Sequence, residues 1–135
     1  MIKFTLTVAL LLTLSFNSNA QIGNISEDSV RSLLCRKWGF RAIIMAGQEL
    51  TNMNESITYE FYNDYNFQRI TSKGKLEKGK WSFDPSKNII ILKIKKKDLY
   101  VRKLSPGDLV ITSDSGLDSK ENSIDMGTAF KVINE

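Results

Sequence analysis

The chain has 135 residues, 41% of them hydrophobic and 25% charged, with a formal net charge of +4. That balance fits one globular domain with a real core and excludes disordered and collagen-like classes. The mild basic excess lacks the aromatic-interleaved Lys/Arg face of a nucleic-acid binder, so nucleic acid is not an expected partner.

Histidine is absent from the sequence. Its absence excludes Ser-His-Asp and Cys-His catalysis and His-rich zinc sites, so no enzyme, cofactor or metal is expected. The carboxylates Glu27, Asp28, Asp98, Asp108, Asp114, Asp118, Glu121 and Asp125 read as helix caps and turn formers. An acid–base pair facing across a cleft, or a calcium-holding loop, is the alternative, but the spacing singles out neither.

In chain order, Met1-Ile2-Lys3, the apolar run Phe4 to Leu14 and the small residues Ser18-Asn19-Ala20 have the pattern of a secretory signal. Cleavage after Ala20 is expected, giving residues 1–20 as signal peptide and 21–135 as one exported domain, periplasmic or secreted and without a membrane anchor. Ser26 is a plausible N-cap for a short helix that turns Val30, Leu33 and Leu34 to one face. Cys35, the single cysteine, reads as a small buried hydrophobe, with intermolecular pairing and a reactive thiol as the alternatives.

Strands follow almost without interruption. Trp38 to Met45 is the first, turned at Ala46-Gly47-Gln48, and Ile57 to Phe61 is the second, alternating so that Ile57, Tyr59 and Phe61 share the core face. The hairpin Phe61 to Phe67 turns at Asn63-Asp64, with Asn66 the residue suited to a left-handed backbone. The third strand holds Phe67 and Arg69 in phase. Leu76 to Phe83, Asn88 to Ile94, Leu99 to Leu104, Leu109 to Thr112 and Met126 to Ile133 complete a count of about eight. The run Lys93, Lys95, Lys96 and Lys97 falls at a hairpin tip, as a solvated turn or, alternatively, as a patch for an acidic partner.

Nearly every connection has hairpin length, which favours an up-and-down antiparallel β-barrel with a short N-terminal helix over a sandwich. Closure also removes the edges that an Ile89-Ile90-Ile91-Leu92 strand would otherwise expose. Both tryptophans, each beside a glycine, are expected as core anchors near a closed end.

The order of Leu34-x-x-x-Trp38, Phe61-x-x-Asp64-x-x-Phe67, Gly79-Lys80-Trp81, Ile89-Ile90-Ile91-Leu92, Tyr100-x-x-x-Leu104 and Asp108-Leu109-Val110-Ile111 resembles the small lipocalin-like domain proteins exported by bacteria of the Bacteroidetes type. The resemblance covers about Leu33 to Ile111. This chain has Arg36-Lys37 and Tyr65 where that family often has glycine. The resemblance implies a calycin-like barrel able to hold a small apolar molecule, and it supports the fold more than the function.

A barrel of eight strands has an interior either filled by side chains or just large enough for one small ligand. The ligand-facing set expected here is Tyr59, Phe61, Phe67, Arg69, Ile91 and Val101. The expected ligand is a small apolar or fatty-acid-like molecule, and the alternative is a protein-binding or inhibitory domain. Arg69 is the one charged member of that set. In phase with Phe67 it points inward and needs an anion, either a protein carboxylate or an acidic ligand; a bulge after Phe67 would instead put Arg69 in solvent and Ile70 in the core.

Overall fold

The computed structural model of the chain describes residues 25–116 and 124–133. The expected signal segment and the loop residues Asp118 and Glu121 lie outside the described residues. Helix α1 spans Glu27–Leu34, followed by β1 Lys37–Met45, β2 Gln48–Leu50, β3 Thr58–Phe61, β4 Asn66–Ile70 and β5 Leu76–Asp84. The remaining strands are β6 Ile89–Ile94, β7 Lys97–Leu104, β8 Asp108–Thr112 and β9 Met126–Val132. No helix among the described residues is long and apolar enough to cross a membrane.

Each strand from β3 to β9 pairs antiparallel with its chain neighbour, and β1 pairs with both β3 and β9. The sheet therefore closes into an eight-stranded up-and-down barrel, the architecture that the hairpin-length connections predict. β2 stands outside that ring. It extends the far half of β1 through Ile43↔Leu50, Ile44↔Glu49 and Met45↔Gln48 across a turn at Ala46-Gly47, whose φ angles are both positive. Gln48-Glu49-Leu50 carries neither a β-branched nor an aromatic residue, and every other strand has at least one, which is why its sequence gives no strand signal.

The antiparallel order puts the start of β1 and the β3–β4, β5–β6 and β7–β8 turns at one end. Helix α1 packs across that end: Val30 and Leu34 are fully buried in one cluster with Trp38, Phe61, Phe67, Trp81 and Leu109. Ser26 caps the helix by accepting from the Ser29 amide, and Glu27 and Asp28 complement its dipole. Both tryptophans are buried with their N–H groups satisfied. Trp38 Nε1 donates to the Leu34 carbonyl at 3.0 Å and Trp81 Nε1 to the Tyr62 carbonyl at 2.9 Å. The β3–β4 hairpin departs from expectation in one respect, because Tyr65 (φ 69°), not Asn66, takes the left-handed backbone. Packing offsets that strain: the Tyr65 ring lies 4.8 Å from Trp81 and under the Arg31 guanidinium, and Asp64 Oδ1 accepts from the Asn66 amide.

The phase of β4 is continuous. Tyr59↔Arg69 and Phe61↔Phe67 pair across β3, and Phe67↔Gly79 and Arg69↔Glu77 across β5, with no shift of register. Arg69 therefore faces inward and Ile70 outward, so the bulge alternative fails. Bulges occur instead between Phe40 and Ala42 of β1 and between Val101 and Lys103 of β7. The first turns Ala42 and Ile44 to the outer surface, where they bury against Val110, Ala129 and Ile124 in a second small cluster.

Candidate functional site

The half of the barrel away from α1 is not filled. A cavity of about 360 Å³ opens at the end where β1, β4 and β8 finish and β3, β7 and β9 begin. One wall comes from Ile43 of β1 with Met126 and Thr128 of β9. The facing walls are Ile57 and Tyr59, Arg69 and Thr71, and Leu99 with Ile111. Tyr59 and Phe130 form the floor, their rings edge to face at 5.1 Å. Below them Phe61 stacks on Tyr59 at 5.7 Å and Phe67 lies 5.3 Å from Phe61, so the interior toward the helix is packed solid.

The six residues expected to face a ligand separate into three groups. Tyr59 and Arg69 line the cavity. Phe61 and Phe67 point inward but lie beneath the floor, and Val101, paired with Ile111, points inward without lining the cavity; all three are nearly inaccessible and serve as core. Ile91 faces the opposite way. Ile90, Leu92 and Ile94 of β6 carry the inward positions, whereas Ile91 pairs with Ser82 and Tyr100 on the outer surface. A run of four apolar residues has no alternation of its own, and the phase of β6 is set by outward Lys93 and inward Ile94 just beyond it.

The cavity's charge is held by a buried ion pair. Glu77 takes an inward position on β5, directly opposite Arg69, while its neighbour Leu76 is turned outward and exposed. Glu77 Oε1 accepts from Arg69 Nε at 3.0 Å and from Nη2 at 2.5 Å. Lys95, in the β6–β7 turn, reaches Glu77 Oε2 at 2.6 Å. Hydrogen bonds from Lys95 and then Arg69 hold the Glu77 carboxyl at about 2, well below its ordinary value. Arg69 Nη1 donates to the Tyr59 hydroxyl at 3.1 Å, and burial pushes that phenol's pKa up. Arg69 thus finds the anion that an inward arginine requires within the protein.

Glu77 was legible in principle. Trp81 is an obvious inward residue, and steps of two back along β5 pass through Gly79 to Glu77. The contributions of Ile43, Ile111, Thr128 and Phe130 were not, because alternation fixes a side chain's face but not its height along the barrel. Among the described residues, no three His, Cys, Asp or Glu side chains gather in a way that could hold a metal ion. Cys35 is half-buried against the core, and burial raises its thiol pKa.

No family model, curated protein or solved structure matches this chain. The architecture is consistent with a lipocalin-like barrel, and the site rests on the geometry above.

Proposed function

We propose that this chain is an exported, lipocalin-like, non-enzymatic binding protein that takes a small apolar or amphipathic molecule into the open half of its barrel. The observation that carries this reading is the cavity of about 360 Å³, walled mostly by apolar side chains, with polar groups from Tyr59, Arg69, Thr71, Thr112, Ser113 and Thr128. Its size lies within the range of small-ligand sites, and that mix of lining is typical of them. The signal-like N-terminus supports export, and the absence of histidine supports binding over catalysis.

Titration with Nile red, a neutral dye that brightens in apolar surroundings, tests the reading. Saturable brightening is expected, and Thr128→Phe, which drives a ring into the cavity from β9, should abolish it without unfolding the barrel. A parent protein that leaves the dye dark, or a variant that binds as the parent does, would overturn the assignment. Mass spectrometry of the protein purified intact from its own host would then weigh the bound molecule.

A second reading has one observation in its favour. Met45 and Met126, cross-strand partners at the mouth, are 47% and 66% exposed, which suits a protein partner docking on that rim. Binding of the dye only to sites that Thr128→Phe leaves intact would favour it.

A further inference from the structure

Resting on the cavity reading, we infer that the ligand's polar end is an uncharged oxygen, a hydroxyl or carbonyl, received by the Tyr59 hydroxyl, and not a carboxylate received by Arg69. Both Glu77 oxygens are engaged, Oε1 by Arg69 and Oε2 by Lys95. The single charge of Glu77 is shared by two cations, but Lys95 stands at the surface with its side chain 60% exposed, where water screens it. Inside the cavity Arg69 therefore faces Glu77 as its counter-charge.

A carboxylate brought to the free edge of the guanidinium would give up its hydration in an apolar cavity and approach Glu77, a like charge across the same arginine. The short separations involved make that repulsion costly where water is scarce. Displacing Glu77 gives no relief, since its side chain is only 7% exposed and would remain buried beside Lys95 alone.

A neutral oxygen meets a different situation. The Tyr59 hydroxyl accepts from Arg69 Nη1, which engages one lone pair and turns its proton elsewhere; among the described residues it donates to no protein acceptor. Burial keeps the phenol protonated. Arg69 orients that hydroxyl and polarises it, making it a better donor to a ligand carbonyl or hydroxyl. Tyr59 is thus the contacting residue, and Arg69 and Glu77 are its positioning residues.

Competition against Nile red with decane, decanol and decanoate at neutral pH tests the inference, because the three share one chain and differ only at the head. Decanol is expected to displace the dye at a concentration about tenfold below decanoate, the size of effect that one uncompensated buried charge readily exceeds. Tyr59→Phe should weaken decanol by about three- to tenfold, the worth of one hydrogen bond, and leave decane unchanged. Decanoate displacing as well as decanol, or decanol indifferent to Tyr59→Phe, would overturn the inference. The first comparison uses the parent protein, so it stands whether or not the variant folds. Failure of all three chains, decane included, would refute the cavity reading instead and take the inference with it.

Discussion

The two ends of the barrel are built from the same strands and differ in nearly every other respect. At the helix end, Trp38, Trp81, Phe61, Phe67 and Leu109 fill the interior, and α1 covers it with Val30 and Leu34. At the mouth, the inward positions of the same strands fall to Ile43, Thr128, Ile57, Arg69 and Glu77, and space remains between them. Short β-branched, hydroxylated and charged side chains cannot span a ring of eight strands, whereas tryptophan and phenylalanine can. Stability is concentrated at one end so that the other can stay open.

Trp81 anchors the packed end. It is 2% exposed, its indole N–H is satisfied, and Tyr65 packs on it. Trp81→Ala should cost about 3 to 5 kcal/mol in chemical denaturation, as deletions of large buried aromatics do. A variant that melts with the parent would mean that the helix end does not anchor the fold.

Strand β8 carries one inward position of each kind. Leu109 is fully buried toward the helix, and Ile111, two residues on, lines the cavity. Leu109→Ala creates a void in packed surroundings and should cost about 4 kcal/mol, whereas Ile111→Ala widens a space already open and should cost about 2 kcal/mol. Equal losses would show that the mouth is packed as tightly as the base.

The smallest effect is expected in acid. Glu77 has a carboxyl pKa of about 2 in the folded chain against an ordinary 4.5, so folding favours its ionised form. Its contribution is complete above the ordinary value and is lost as pH falls toward the folded one. Thermal scans of parent and Glu77→Gln from neutral pH down to about 2 should therefore converge on acidification. A constant gap between the two curves would contradict the ion pair.

Much of this contrast was written in the sequence, but unevenly. Alternation placed Tyr59, Phe61, Phe67 and Arg69 on the inner face, and turn residues delimited the strands closely enough for the ring of eight to be counted. The uniform apolar run at Ile89 to Leu92 concealed its own phase and misplaced Ile91. The polar β2 gave no strand signal. Division of the inner face into packed base and open mouth depends on height along the axis and on the bulges in β1 and β7, and neither leaves a local trace. Glu77 is legible only by stepping back in twos from Trp81, because a carboxylate beside an exposed Leu76 inverts the usual pattern of apolar inward and polar outward residues.

The closing seam has a kinetic consequence. β1 must wait for β9, which is made from the residues furthest from it in the sheet's sequence order, before the ring exists. Until that pairing forms, the chain is a curling ribbon with two bare edges, β1 and β9. Pairings this distant in sequence are slow to form, because the loop between them must close before any contact rewards it. The interval before closure is therefore the period in which this chain is most exposed to joining another copy of itself edge to edge.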